Sequence, residues 1–219
     1  MRIYLKLSQN KEIVPFEHLP KLVGTMHKWL GKNDVHDQLS FYSFSWLRGG
    51  RGLGKTGLVF PDGAEWFISG YDTDLVKKAV SGILDDPQVA FGMKVVEITL
   101  RETPEYESGH RFYLGSPILV KRNQENRQKH FTFDDVETDT ILTETFHFKL
   151  SKAGLPVSGA AVRFDRGHHT AKTKLSTYRG IQNKVNYCPV IIEGSPEQIG
   201  FAWDVGVGNS TGIGFGSLI

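Results

Sequence analysis

Two histidines near the amino end of the chain have the chemistry for proton transfer. His27 and His36 belong to a set of eight histidines, and an unperturbed imidazole, with a pKa of about 6.5, can both take and give a proton at neutral pH. His27 falls beside the apolar stripe of a predicted helix, on the face that carries Gly24 and Gly31. We therefore expect its ring to lie over a bare groove. The pair indicates general acid and base catalysis, and no metal-ligand spacing accompanies it.

A glycine-rich motif, GGRGLGKT (49–56), formally matches the phosphate-binding P-loop. That loop needs a helix directly after it, because amide groups and the helix dipole together hold the phosphate. Here the next residues are GLVFPDGAEWF, which contain a proline and strand-forming aromatic residues. The segment therefore predicts a basic β-hairpin whose Arg48, Arg51 and Lys55 contact a nucleic-acid backbone.

Basic residues are concentrated in three segments of a chain whose net charge is only +2. The segments 48–55, 121–130 and 163–184 hold 13 of the 26 Lys and Arg residues but only two acidic residues, so the remainder of the chain is acidic. Each segment alone could be a solvated loop. Three of them together favour a protein that offers local basic surfaces to a nucleic acid.

Composition excludes several classes of protein. With 219 residues and a single cysteine, Cys188, the chain can bury a core but has no disulfide framework and no cysteine-rich zinc site. A hydrophobic content of 39% excludes bulk disorder, and no apolar run approaches the roughly 18 to 20 residues needed to cross a bilayer. We expect a soluble protein of the reducing cytoplasm, with no membrane partner.

The periodicity of the first half predicts strand, helix, strand, strand, helix and strand. The predicted elements are a strand over 1–8, a helix from Leu19 to Gly31, strands near 41–47 and 65–71, a helix over 75–84 capped by Asp72 or Thr73, and a strand over 94–101. This order is that of the split βαβ, ferredoxin-like arrangement.

The second half repeats that order more loosely. The predicted elements are a strand over 112–120, a helix over 134–152, strands near 157–165 and 185–193, a short helix in SPEQIG, and a last strand in FAWDVGVG. We therefore predict an α+β protein of two tandem ferredoxin-like (RRM-like) βαββαβ domains with antiparallel sheets. Residues 1–103 would form the domain that carries the histidines, and residues 110–219 the domain with the larger basic segments.

The chain ends in a glycine-rich run, GVGNSTGIGFGSLI. Glycines at this density mark a loop in which another backbone comes close or positive φ is required. Ile213 and Phe215 alternate with the glycines as though they were anchored in a core. Exposed amides of such a loop could cradle phosphates.

Five segments of the chain occur in an order known from one protein family. They are VPFEHLPKLVGTMHKWL, DVHDQLSFYSFS, AVSGILDDPQVAFGMKVVEITL, GSPILV and VGVGNSTGIGFGS. They are similar, in turn, to an opening helix, a histidine followed by an aromatic strand, a second helix with its turn and strand, the opening of a second domain, and a C-terminal glycine loop. The chain therefore resembles the CRISPR-associated repeat-processing endoribonucleases, the Cas six family of the RAMP superfamily, over nearly its whole length.

The resemblance implies a metal-independent endoribonuclease that cuts CRISPR precursor transcripts once within each repeat to give crRNAs. The ribose 2′-hydroxyl next to the cut attacks the phosphate and leaves a 2′,3′-cyclic phosphate and a 5′-hydroxyl, with no cofactor. The family's catalytic histidine falls on His36, and a tyrosine is common at the position of His27. Either histidine could be the acid or the base.

The group that faces the charged phosphorane is less defined. A lysine that some members of the family place after the histidine is absent, because that position is Ser40. A positive group or donor must face the charge as it develops. Lys28, Lys32, Arg51 and Lys55 are the candidates.

The expected RNA contacts come from the three basic segments and the glycine loop. They are Arg48, Arg51, Lys55, Lys121, Arg122, Arg127, Arg166, Lys172, Lys174, Arg179, Gly208, Gly212, Gly214 and Gly216. The expected partner is CRISPR repeat RNA, bound by a monomer or a homodimer.

The alternative is a non-catalytic RNA-binding subunit of a CRISPR effector complex, since such subunits share the fold and the glycine loop. A third hypothesis is a general binder of single-stranded RNA. Fold does not decide between them, because function depends on the site. The histidine pair favours the enzyme, since a protein that only binds RNA has no need of two imidazoles beside a bare groove.

Overall fold

The first half of the chain folds around one four-stranded antiparallel sheet with two helices. The computed structural model describes residues 1–31, 40–124 and 127–219. The elements of this half are β1 (Arg2–Leu7), α1 (Leu19–Leu30), β2 (Tyr42–Phe44), β3 (Arg51–Leu53), β4 (Gly57–Val59), β5 (Ala64–Gly70), α2 (Thr73–Asp85) and β6 (Val95–Arg101). The strand order β2-β5-β1-β6 is that of a ferredoxin-like domain, and β3 and β4 form a separate hairpin between β2 and β5.

Local sequence explains these elements. Ile3, Leu5 and Leu7 alternate along β1 and are all buried, so that face of the sheet packs under the helices. Asp72 caps α2 by accepting a hydrogen bond from the backbone amide of Asp74 at 2.8 Å. Helix α1 ends at Gly31, where φ is +67°. The helix and strand predictions for this half are confirmed.

The second half builds a related sheet with two inserted hairpins. Its elements are β7 (Gly109–Phe112), β8 (Val120–Gln124), β9 (Arg127–Phe131), α3 (Thr138–Lys152), β10 (Ala161–Phe164), β11 (Lys172–Tyr178), β12 (Ile181–Tyr187), β13 (Val190–Glu193), α4 (Pro196–Val205) and a 3₁₀ turn (Thr211–Ile213). The sheet order is β10-β13-β7, while β8-β9 and β11-β12 form hairpins.

The last residues of the chain complete this second sheet. Leu218 pairs with Leu114, and Tyr113 and Ile219 exchange backbone hydrogen bonds of 3.0 and 2.9 Å. The carboxyl end therefore lies where the fourth strand of a ferredoxin-like sheet belongs. The chain is an α+β protein of two tandem ferredoxin-like domains, as predicted.

Three details of the second half differ from the prediction. The strand predicted near 185–193 is divided between β12, which ends at Tyr187, and β13, which begins at Val190. The predicted strand over FAWDVGVG is wrong, because residues up to Val205 continue helix α4, which is buried along most of its length. A capping box between Ser195 and Gln198 starts the helix, and residues 198–205 continue it because they are buried against the sheet. The predicted strand over 112–120 is interrupted, since β7 ends at Phe112 and β8 begins at Val120.

The two cores meet across the domain junction. Leu119, Val185 and Phe215 come from the second half but belong to the hydrophobic core of the first. Arg2, on β1, is fully buried, and its guanidinium lies 3.9 Å from the ring centre of Phe67 and 3.6 Å from that of Trp203 on α4. Burial lowers the pKa of Arg2 to about 10. The halves are thus joined by apolar packing and by one stacked cation.

In the described parts of the chain, no helix combines the length and the apolar character that a membrane span requires.

The contact between α1 and α2 can be tested at Gly82. A Cβ at this position would overlap the backbone of Trp29, so we expect Gly82→Ala to lower the free energy of unfolding by about 1–3 kcal/mol, the usual cost of overpacking. Gly24→Ala is the matched control, because Gly24 lies inside α1 with nothing within 4 Å of the added carbon. It should raise the free energy of unfolding by about 0.5–1 kcal/mol. Urea denaturation measures both, and equal effects would contradict the close helix crossing.

Candidate nucleic-acid interface and active site

His27 lies in the last turn of α1, where its carbonyl accepts a hydrogen bond of 3.1 Å from the amide of Gly31. The side chain is half-buried. Among the described residues, an added Cβ at Gly24, one turn earlier, or at Gly31, one turn later, would meet no atom within 4 Å. That a groove beside the imidazole is open to a ligand stays a prediction.

His36 falls in residues 32–39, outside the described residues, and so does Lys32. The approach of the two imidazoles to each other therefore stays a prediction. Lys28, another candidate for the phosphate, binds the carboxylate of Asp86 at 2.8 Å and the carbonyl of Gln88 at 2.6 Å. Because its ammonium is held at the end of α2, it is less available than its sequence position suggests.

The GGRGLGKT motif forms the β3-β4 hairpin, as predicted, and no helix follows it. The backbone of Arg48 forms an isolated antiparallel β-bridge with the backbone of Glu65 beside the hairpin. The guanidinium of Arg51 lies 3.4 Å from the carboxylate of Asp62, and both side chains are exposed. Lys55 is exposed in the turn. The hairpin presents three cations to solvent, which suits contact with a phosphate backbone and excludes a P-loop.

The second basic segment forms the β8-β9 hairpin. Lys121 is half-buried, and its amide donates to the Asn209 side chain of the glycine loop at 2.8 Å. Burial lowers the pKa of Lys121. Arg122 forms an ion pair with Glu144, whereas Arg127 is exposed at the start of β9. This hairpin therefore brings basic side chains directly beside the glycine loop.

The third basic segment forms β10 and the β11-β12 hairpin. Lys172, Lys174 and Arg179 are exposed on the hairpin, and the Lys174 ammonium lies 5.4 Å from the ring centre of Tyr187. Burial raises the pKa of Tyr187 to about 12, so its phenol stays neutral at ordinary pH.

Arg166, also in this segment, is held by an ion pair with Asp139 of α3. It is therefore less available to RNA than the hairpin lysines.

The glycine loop is a buried junction rather than an exposed cradle. Gly208, Gly212, Gly214 and Gly216 are all buried. Three of them, at 208, 214 and 216, have φ between +69° and +93°. Asn209 and the residues 210 and 213 are the partly exposed positions. Direct RNA contact through the four glycines stays a prediction, and the partly exposed positions define the surface that the loop offers.

The loop touches both domains. A Cβ at Gly212 would overlap Ser40, and one at Gly214 would overlap Leu19 and Phe44, all in the first half of the chain. A Cβ at Gly208 or Gly216 would meet the carbonyls of Leu119 or Val207 in the second half. Gly212 and Gly214 therefore let side chains of the first domain pack directly against the loop backbone.

Two aromatic side chains of the first domain bind loop carbonyls. The Trp46 indole donates to Gly214 at 2.6 Å, and the Tyr42 hydroxyl donates to Gly212 at 3.3 Å. From the other side, Lys149 of α3 reaches the loop and is only 4% exposed. Sequence analysis missed Lys149. The available signal was a lysine at the helical spacing of apolar residues, three positions after Phe146 and one before Leu150.

Within residues 1–31, 40–124 and 127–219, no three His, Cys, Asp or Glu side chains gather as a metal site would require.

A family model described as "CRISPR associated protein Cas6, C-terminal" matches residues 100–218, more than half of the chain. The chain belongs to the Cas6 family. The match includes the β8-β9 and β11-β12 hairpins, Lys149 and the glycine loop. These features therefore all lie in the C-terminal part of the Cas6 protein that the family model describes.

Solved structures share the fold over the whole chain. A Cas6-related protein from Pyrococcus furiosus has a TM-score of 0.87 at 19% identity, with 100% of this chain and 97% of that chain covered. A RAMP protein described as binding different RNA substrates has a TM-score of 0.83 at 20% identity, with 100% and 99% covered. Thermus thermophilus Cse3, bound to an RNA representing a pre-cleavage complex, has a TM-score of 0.58 at 14% identity, with 100% and 98% covered. No curated protein matches the sequence.

The close approach inside the Cas6 glycine loop can be tested at Gly216. Its φ is +69° and an added Cβ would overlap the Val207 carbonyl, so Gly216→Ala should combine backbone strain with overpacking. Gly159→Ala is the matched control, because Gly159 has a φ of +79° but open space around it. We expect a loss of about 1–2 kcal/mol in the free energy of unfolding at Gly159 and of at least about 3 kcal/mol at Gly216. Equal losses in urea denaturation would mean that the loop can relax.

Proposed function

We propose that the protein is a metal-independent endoribonuclease that cuts CRISPR precursor transcripts within each repeat and releases crRNAs. The observation that carries the proposal is the Cas6 match over residues 100–218. Three basic hairpins and the half-buried histidine in the last turn of α1 support it.

The proposed chemistry uses a nucleophile that the RNA supplies. The 2′-hydroxyl next to the cut attacks the phosphorus, the bond to the 5′-oxygen of the next nucleotide breaks, and a 2′,3′-cyclic phosphate remains. One imidazole of His27 and His36 removes the proton of the 2′-hydroxyl, and the other protonates the leaving oxygen. The protein's remaining task is to hold the attacking and leaving oxygens in line.

The proposed division of labour follows the two domains. We assign the histidines to residues 1–103 and most of the RNA-holding surface to residues 110–219. The hairpins β8-β9 and β11-β12 supply that surface, and the glycine loop joins it to the domain with His27. An RNA held by the hairpins would thus be fixed relative to the imidazoles.

Cleavage of repeat RNA in excess chelator tests the proposal. We expect one cut per repeat, with a 2′,3′-cyclic phosphate on the upstream fragment and a 5′-hydroxyl on the downstream one, read by end-specific sequencing. Loss of cleavage in chelator would contradict a metal-independent mechanism. Tight binding without any cut would instead support the alternative, a non-catalytic RNA-binding subunit of an effector complex.

Histidine variants test the proton-transfer roles. We expect His27→Ala and His36→Ala each to slow single-turnover cleavage by about 10²-fold or more, because general acid and base catalysis contributes about 10² to 10⁴. RNA affinity should change little. His169→Ala is the control, since His169 is exposed in the second domain. With protein in saturating excess its rate should equal that of wild type, and full activity of His36→Ala would contradict the assignment.

The salt dependence of RNA affinity tests the hairpin contacts. Lys172 and Lys174 are exposed on β11, so we expect their double alanine variant to reduce the slope of log Kd against log salt by about 1.4, at about 0.7 per phosphate contact on a single strand. The matched control removes two exposed positive charges outside the proposed RNA contacts, by Lys11→Ala and Lys94→Ala, and should leave the slope unchanged. The same loss in both variants would indicate only a net-charge effect.

A further inference from the structure

Lys149 is a buried cation directly beneath the glycine loop. It lies on the apolar face of α3 beside Phe146 and Leu150 and is 4% exposed. Its ammonium lies 3.5 Å from the carbonyl of Val205, 3.3 Å from that of Gly206 and 3.1 Å from the hydroxyl of Thr211. All three oxygens belong to the end of α4 or to the loop that follows it.

The three oxygens match the three donors of a protonated lysine. The two carbonyls are also at the carboxyl end of α4, where the helix dipole favours a positive charge. Through Thr211 the same ammonium reaches the 3₁₀ turn whose Gly212 binds Tyr42 of the first domain. Lys149 therefore connects both ends of the loop segment 205–211.

The charge of Lys149 has no carboxylate partner among the described residues. Burial lowers its pKa to about 7, and burial is the only cause. The charged groups on its own helix and on the elements packed against it have other contacts. They are Asp204 with the amino-terminal ammonium and Thr103, Asp139 with Arg166, Arg122 with Glu144, Arg163 with Glu193, Lys121 with Gln128, His147 with the Ala160 carbonyl, and Lys152 with the Phe148 ring. Glu197, in the first turn of α4, is exposed to solvent.

An anion on the outer side of the loop would supply the missing counter-charge. Asn209 of the loop is partly exposed, and its side-chain oxygen accepts a hydrogen bond from the backbone amide of Lys121 at the base of the basic β8-β9 hairpin. The Lys149 ammonium contacts the loop itself, through Gly206 and Thr211, and Coulombic attraction between buried groups is strong because little water screens it. We propose that Lys149 is a positioning residue that holds the glycine loop and attracts an RNA phosphate to its outer surface. This inference rests on the proposed function, since it takes repeat RNA as the ligand.

The sign of the pH dependence follows from proton linkage. In the free protein Lys149 loses its proton above about pH 7. A phosphate nearby favours the charged form and raises the pKa in the complex. At a pH between the pKa of Lys149 in the free protein and its pKa in the complex, RNA binding is coupled to the uptake of a proton by Lys149, so RNA affinity falls as the pH rises. Below pH 7 both states are protonated and this dependence disappears.

The test measures the Kd of repeat RNA from pH 6.5 to 8.5 at fixed ionic strength. The RNA carries deoxyribose at the mapped cut, so that it stays intact. For the wild type we expect the Kd to rise by roughly fivefold to twentyfold over this range. Lys149→Arg should bind well with a flatter profile, because arginine stays protonated. Lys149→Met should bind weakly throughout, and wild type should approach it at pH 8.5.

Two controls separate Lys149 from other titrating groups. Lys152→Met removes an exposed lysine from the same helix and should keep the wild-type profile. The histidines titrate in every variant, so the difference in slope between wild type and Lys149→Arg isolates Lys149. An NMR titration of the Lys149 side chain in the wild type needs no variant, and should show a pKa near 7 that rises when RNA is added.

The outcomes distinguish this inference from the proposed function. Parallel pH profiles in wild type and Lys149→Arg, or an ordinary lysine pKa in the free protein, would overturn the role of Lys149 while cleavage could still occur. Bound RNA with the expected Lys149 profile but no cleavage would overturn the proposed activity and support the inference. Wild-type protein that binds no repeat RNA would overturn both.

Discussion

The structure depends on the close backbone approach that the glycine loop permits between the two domains. Gly212 and Gly214 lie against Ser40 and Phe44 of the first domain, while Gly208 and Gly216 lie against carbonyls of the second. A side chain at these positions would push the domains apart or force a strained backbone. Loop carbonyls then receive donors from both sides, from Trp46 in one domain and from Lys149 in the other. The orientation of the two domains is thus set by side chains of the first domain that pack against and donate to the backbone of the loop.

The placement of the basic residues on inserted hairpins explains how a nearly neutral chain can present a basic surface. The cations occupy hairpins inserted between the elements of each ferredoxin-like unit, so they are not needed in either core. Val185, on β12, nevertheless packs into the core of the first domain. The β11-β12 hairpin is therefore anchored to one domain while it belongs to the other. Its exposed lysines are held in a defined position relative to α1, which a mobile basic tail would not achieve.

The sequence predicted the first domain well because its signals are local. Strand β1 alternates cleanly, Asp72 caps α2, and Gly31 ends α1. Prediction failed at α4, where a short helix in SPEQIG and a strand in FAWDVGVG were expected. The buried environment decides that segment, because a helix there covers the second sheet while the chain's last residues, paired through Leu218, complete it. Such a choice depends on tertiary contacts that periodicity does not contain.

The candidate site also contains one residue that local sequence predicts, His27, and one that it does not, Lys149. The position of His27 in the last turn of α1, between Gly24 and Gly31, follows from helical spacing and was predicted from it. Lys149 could not be assigned similarly, because its position in α3 is that of a core residue and its charge contradicts that position. The contradiction is resolved only when the end of α4 and the turn at Thr211 converge on the same ammonium. A lysine kept in a core without a carboxylate among the described residues retains a cost of desolvation, which deprotonation removes in the free protein and which, in the proposed complex, the RNA phosphate lowers.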